Sequence, residues 1–171
     1  MIDVMLDLET LSAEQDAIVA AIGAVKMDMD TKEVLPLDSF HMTLLWVDQH
    51  RRGRTCHPAT FHFWMKQDHA AQSTIMWKPT MENKDTLQCF SDFMVGVDGL
   101  WGNSAAFDCG ILESLFKSYE MRVPFKYWQH RCFRTMKNLT DVPEPMREGV
   151  HHYALDDAIH QANWLMEIMK K

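Results

Sequence analysis

Asp7 and Glu9 stand one residue apart in a run where Ile2, Val4, Leu6 and Leu8 alternate with Asp3, Met5, Asp7 and Glu9. A period of two is the pattern of a strand, and on a strand Asp7 and Glu9 share one face. Two residues of rise set their carboxylates roughly 6.5 Å apart. Like charges held that way either raise one pKa or take a cation between them. A lone Asp-x-Glu reads most simply as a strand running out into a polar turn. Here two further segments supply partners, which makes the pair half of a metal site. Asp108 follows the Trp101-Gly102-Asn103 segment at the start of a helical pattern, and His152 and Asp157 lie at the start of the last one. Taken singly, Asp108, Asp156 and Asp157 read as helix capping, worth about 0.3–1 kcal/mol each.

His152 and Asp157 would point about 140° apart on a regular helix. They converge only if His152 sits in the turn that leads into the helix. The Val150-His151-His152 junction, after a loop containing Pro143, Pro145 and Gly149, allows this.

The elements that must position these groups follow from the pattern. After the first strand, Ser12 to Asp16 is a polar loop, Ala17 to Met29 an extended arm, and Asp28 to Glu33 a turn. A return arm over Phe40 to Val47 completes a β-hairpin, with Pro36 marking an irregularity or an edge. His50 to His57, with Arg51, Arg52 and Arg54 around Gly53, reads as a solvated basic loop. Pro58 to Gln67 reads as a short helix. Glu82 to Val97 carries Leu87, Phe90, Phe93, Met94 and Val97 at helical spacing. Gly99 to Gly102 is a brief strand, and Asp108 opens a helix with Ile111, Leu112, Leu115, Phe116 and Tyr119 as its stripe. Phe125 to Phe133 approaches a strand, and the last helix runs from about Tyr153 to Met169. Strands first, then alternating helix and strand, predict an α/β fold: a mixed central β-sheet with helices packed on it, in a single domain over 1–171.

Three segments then match a family. Asp7-Leu8-Glu9-Thr10, Asn103-Ser104-Ala105-Ala106-Phe107-Asp108 and His152-Tyr153-Ala154-Leu155-Asp156-Asp157 resemble the three exonuclease motifs of the DEDD superfamily. The His-x-Ala-x-x-Asp form of the third resembles the His-containing branch, DEDDh. Thr60 to Gln67, with Phe63-Trp64, and Arg131-Cys132-Phe133-Arg134-Thr135 are similar to RNase AS-like exoribonucleases and to small phage and bacterial exonucleases.

The resemblance implies a ribonuclease H-like fold and 3′–5′ exonuclease activity on single-stranded RNA or DNA, releasing nucleoside 5′-monophosphates. It also implies two divalent cations roughly 3.5–4 Å apart. Four carboxylates suit Mg²⁺ or Mn²⁺ better than zinc. On this match Asp7 bridges both ions, Glu9 and Asp157 help hold the one that activates water, and Asp108 serves the second, largely through water. His152 takes the proton of the attacking water. Expected substrate contacts are Thr10 and Leu11 through backbone groups and an apolar wedge, Asn103 from the second motif, Phe107 and Trp64 by stacking, and Arg131 and Arg134 on phosphates. Relatives of this size imply a homodimer.

Composition sets outer bounds. Hydrophobic residues at 47% and charged residues at 24% fit a globular chain. A net charge of −7 is unusual for a nucleic-acid protein, yet bound divalent cations reverse the local sign of a carboxylate site. Cys56, Cys89, Cys109 and Cys132 form no Cys-x-x-Cys pair, which suits a reducing cytoplasm. No signal-peptide or membrane-spanning pattern is expected. Two rivals stand beside the exonuclease. One is a catalytically silent nucleic-acid-binding module on the same fold, which would typically lack one or more of the carboxylates. The other is a zinc hydrolase built on His151, His152 and His160, which lacks a His-Glu-x-x-His spacing.

Overall fold

The computed structural model describes residues 1–76 and 79–171. Among them, five strands form one sheet in the order β3-β2-β1-β4-β5. β1 (Ile2–Thr10) lies at its centre, paired antiparallel with β2 (Val19–Asp28) and parallel with β4 (Gly99–Gly102). β3 (Glu33–Thr43) continues antiparallel from β2, and β5 (His130–Cys132) continues parallel from β4. The sheet is therefore mixed, with the hairpin on one side and the crossover strands on the other.

Both faces of β1 are covered. Val4, Leu6 and Leu8 pack with Leu87 and Phe90 of α4 (Asn83–Phe93) and Ile111, Leu112, Leu115 and Phe116 of α5 (Asp108–Ser118). Met5, on the opposite face, packs with Val25, Met27 and Trp101 against Ala158, Ala162 and Leu165 of α7 (Ala154–Met169). The more polar phase of the strand is thus buried as well. Asp3 is buried on it and accepts a hydrogen bond from Trp101 Nε1 at 2.7 Å.

The approach of α7 to the sheet is set by Gly23. A Cβ there would lie 2.1 Å from the carbonyl carbon of Ala154 and 2.3 Å from the nitrogen of Leu155. Only glycine lets the helix start rest on the middle of β2. Gly102 acts alike at the end of β4, where a Cβ would meet the Asp108 side chain at 2.7 Å.

The hairpin differs in detail from the sequence expectation. β3 starts at Glu33 and ends at Thr43, and Trp46 and Val47 belong to α1 (Trp46–Arg51), which also takes His50 and Arg51. Pro36 lies in the outermost strand, where pairing slips between Val25 and Lys26, since proline offers no donor to a ladder. Arg54 is not solvated. It is 3% exposed and donates from Nε to the carbonyl of Ala17 at 2.9 Å and from Nη1 to Ser114 Oγ at 3.1 Å.

The remaining helices are short: α2 (Pro58–Met65), α3 (His69–Met76) and α6 (Phe133–Asn138). α3 and α6 were not anticipated, because six to eight residues span too few turns to display an apolar period. Phe133 accordingly opens a helix and does not close a strand. Among the described residues, no helix is long and apolar enough to cross a membrane.

Candidate active site

The end of β1, the turn after β4 and the start of α7 meet around a cleft of about 430 Å³. Carboxylate oxygens of Asp7, Glu9 and Asp157 lie within 4.8 Å of one another there. Residues 150 positions apart in sequence come together because α7 crosses the sheet directly over the exit of β1.

Each carboxylate is held differently. Oδ1 of Asp7 accepts a hydrogen bond from Gln161 Nε2 at 2.7 Å. Oδ2 of Asp157 accepts the backbone amide of His152 at 2.9 Å, and its Oδ1 is ion-paired with the Arg147 guanidinium. Oε1 of Glu9 is buried with no hydrogen-bond partner among the described residues. Asp108 lies at the N-terminus of α5, where its Oδ2 accepts the amide of Ser104 at 3.2 Å. It stands beside the three-carboxylate cluster and lines the same cleft.

Burial dominates the electrostatics. It raises Asp7 well above the usual carboxylate range, with Glu9, Asp108 and Asp157 adding repulsion and the Gln161 hydrogen bond opposing. Glu9 is pushed up to about 8 by burial, then by Asp157 and Asp108. Asp108 is pushed up to about 7 by burial, although backbone amides, chiefly that of Ser104, and the charge of Arg134 pull it down. A cluster of buried carboxylates, one of them with an oxygen that has no hydrogen-bond partner among the described residues, fits a multivalent cation.

His152 occupies the lead-in turn, with φ of +63°. This non-helical conformation lets its amide reach Asp157 while its carbonyl accepts from Thr74 Oγ1 at 2.9 Å. The ring stacks on His151 at 3.9 Å and meets the edges of Phe63 at 5.1 Å and Trp64 at 5.8 Å. Burial and the neighbouring His151 lower its pKa, against an upward pull from Asp157. Ring and carboxylate atoms of His151, His152 and Asp157 also lie within 4.8 Å of one another, so the last helix start offers a mixed set beside the all-oxygen one.

The other residues anticipated from the sequence divide. Thr10, Trp64, Asn103, Phe107 and Arg134 line the cleft. Trp64 is buried, and its Nε1 donates to the carbonyl of Thr10 at 2.9 Å, so its indole braces the strand exit. Phe107 is half-buried against the α4–α5 side of the core. Leu11 does not reach the cleft: it is buried with Ile18, Ala20, Trp64 and Ile75. Arg131 also lies outside the lining, and its Nη1 donates to the carbonyl of Trp128 at 3.0 Å.

Two side chains that hold the cleft carboxylates escaped the sequence reading. Gln161 sits one turn after Asp157 on the same helix face, a spacing that could have revealed it. Arg147 comes from the irregular stretch before α7, and no local pattern marks it. The stretch is also tied down by a His160 Nε2 to Glu144 Oε1 contact of 2.8 Å and a Trp164 Nε1 to Val142 carbonyl hydrogen bond of 3.2 Å.

Comparison with known proteins agrees with this architecture. No curated protein matches the chain. Solved structures do. The nuclease domain of 3′hExo, a DEDDh family member crystallised with rAMP, is 14% identical with a TM-score of 0.65, over 99% of this chain and 92% of that one. Cell-death related nuclease 4 (CRN-4) is 17% identical with a TM-score of 0.57, and a full-length 3′-exonuclease is 14% identical with a TM-score of 0.61. Both are covered over 99% of this chain, which spans 64% of the length of CRN-4 and 60% of the length of the other. The fold is thus the ribonuclease H-like fold of DEDDh exonucleases. The model of the 3′-5′ exoribonuclease Rv2179c-like domain matches residues 2–169, and the chain belongs to that family of nucleases.

Proposed function

We propose that this chain is a single-domain, cytoplasmic 3′–5′ exoribonuclease that removes nucleoside 5′-monophosphates from the 3′ end of single-stranded RNA. The observation that carries the reading is the convergence of Asp7, Glu9 and Asp157 oxygens within 4.8 Å beside Asp108 and His152. RNA is chosen over DNA on the family match, and the rAMP bound by the similar domain of 3′hExo is the type of product the reading requires.

Asp7, Glu9 and Asp157, with Asp108 alongside, would hold two Mg²⁺ or Mn²⁺ ions, hard cations suited to an all-oxygen set. When bound, such ions supply a more acidic water and neutralise charge on the leaving oxygen. The residues of the chain do the rest. His152 accepts the proton of the attacking water, a role that suits a neutral imidazole at physiological pH. The water oxygen bonds to phosphorus, the bond from phosphorus to the upstream 3′ oxygen breaks with its electron pair going to that oxygen, and the shortened strand leaves with a 3′ hydroxyl after this oxygen takes a proton from solvent. Thr10 and Asn103 orient the terminal nucleotide, Phe107 offers a ring for a base, and Arg134 pairs with phosphate.

The test uses one sequence made as RNA and as DNA, each labelled at its 5′ end and incubated with Mg²⁺ or Mn²⁺. A ladder shortening from the 3′ end of the RNA, absent with EDTA and in Asp157→Ala, is the expected result. No degradation of either strand, or equal activity in the variant, would overturn the reading.

A further inference from the structure

Charge is unevenly distributed along this acidic chain. Between Lys117 and Thr140 there are six Lys and Arg residues against a single acid, Glu120, whereas the whole chain has 17 against 24. Among the described residues, Arg122, Lys126, Arg131, Arg134 and Lys137 make no salt bridge. The segment contains β5, the edge strand opposite β3, and connects two places. At one end Arg134 and Lys137 of α6 line the cleft. At the other a 3₁₀ turn, Tyr127–Gln129, holds Tyr127 80% exposed and Trp128 62% exposed, edge to face at 5.0 Å.

This exposure is built in and does not result from fraying. Gln129 pins the turn from both sides: its Oε1 accepts the amide of Lys126 at 2.7 Å, and its Nε2 donates to the carbonyl of Val97 at 2.8 Å. Nη1 of Arg131 donates to the carbonyl of Trp128 at 3.0 Å, which ties this cation to the turn. Large aromatics braced outward among unpaired cations suit a polyanion carrying flat rings, since bases stack on aromatic side chains without regard to sequence.

We propose that the edge of the sheet along β5 is a binding track for the upstream part of the single strand. It leads from Arg134 and Lys137 in the cleft past Arg131 to Lys126, Tyr127 and Trp128. From Arg134 to Trp128 is six residues, at most roughly 20 Å at strand rise, so the track reads nucleotides beyond those being cleaved. It rests on the proposed exonuclease reading for its direction, with the 3′ end in the cleft. The enzyme would then favour long strands over dinucleotides through KM, with kcat unchanged.

Two measurements test it. In EDTA, oligo(U) is expected to quench the fluorescence of Trp128, seen as the difference between wild type and Trp128→Phe. Affinity is expected to persist in Trp128→Phe, which keeps a stacking face, and to fall about 5- to 100-fold in Trp128→Ala. Lys126→Ala is expected to lower the log–log salt slope by about 0.7. In turnover, Tyr127→Ala with Trp128→Ala is expected to raise KM for a long RNA and leave the dinucleotide KM and both kcat values as they were. Equal effects on both substrates, or no Trp128 quenching, would overturn the track. A change in sedimentation with unchanged RNA affinity would also overturn it and assign the face to a second copy of the chain. If wild type cleaves neither substrate, the exonuclease reading fails, and the quenching in EDTA still decides the track.

Discussion

The backbone amide of His152 donates to Oδ2 of Asp157 at 2.9 Å, so the proposed base is held in place by a proposed ligand. The two roles should separate on substitution. His152→Ala is expected to lower kcat by about 10²–10⁴-fold and leave Mn²⁺ affinity near wild type by calorimetry. Asp157→Asn is expected to lower both, and to shift the pH dependence of whatever turnover remains, because His152 loses the charge that draws its pKa upward. Equal loss of metal affinity in the two variants would make His152 a ligand.

Gln161 is the polar partner that fixes Asp7, through a 2.7 Å hydrogen bond to Oδ1. Partners of this kind typically contribute about 10–100-fold in metal affinity or activity. Gln161→Ala is expected to weaken Mn²⁺ binding by about 10-fold, measured by titration, with thermal stability little changed because its amide lies at the cleft wall.

Proton uptake and release give a third check. With Glu9 raised to about 8 and Asp108 to about 7, both by burial first, the metal-free protein carries protons on these acids at neutral pH. Binding of Mg²⁺ or Mn²⁺ at pH 7 is expected to release protons, seen as a dependence of the calorimetric heat on buffer ionisation enthalpy. The sign for stability follows from the same shifts. The folded form binds more protons than the unfolded chain between about 4.5 and 8, so the stability contributed by Glu9 is full below the lower value and is lost through the upper one. Melting temperature in EDTA should fall across that window, and excess Mn²⁺ should restore it most at the alkaline end.

Gly23→Ala would place a methyl group against the backbone of Ala154 and Leu155. The helix start would have to lift from the sheet, at a cost of about 3 kcal/mol by chemical denaturation. Since Asp157 rides on that helix, metal affinity is expected to drop as well, although Gly23 itself does not line the cleft.

Much of this was legible in the sequence, for reasons that differ by element. β1 announced itself because its apolar residues alternate, and α5 and α7 because their stripes run for several turns. The three motif segments marked where the cleft would be, and the lead-in position of His152 followed from its five-residue offset to Asp157. α3 and α6 escaped because about two turns or fewer are too short to display a period. Arg54 looked like a solvated cation, because nothing local tells that it will satisfy the buried carbonyl of Ala17. Leu11 looked like a wedge for substrate, whereas the packing of α2 and α3 over it was beyond local pattern. Arg147 reaches Asp157 from an irregular stretch, and only tertiary structure reveals such a partner.

The stop that Gly23 provides is main chain against main chain, and this has a bearing on how freely the rest of the molecule can vary. The layer between α7 and the sheet is filled partly by flexible thioethers, among them Met5, Met27 and Met166. Such a filling is compliant and could not by itself act as a gauge between carboxylates on different elements. Here the clearance is fixed by a missing side chain at one point, so the filling is free to be exchanged, methionine for leucine, without moving the acids apart. Tolerance in the interior and accuracy at the cleft are assigned to different atoms.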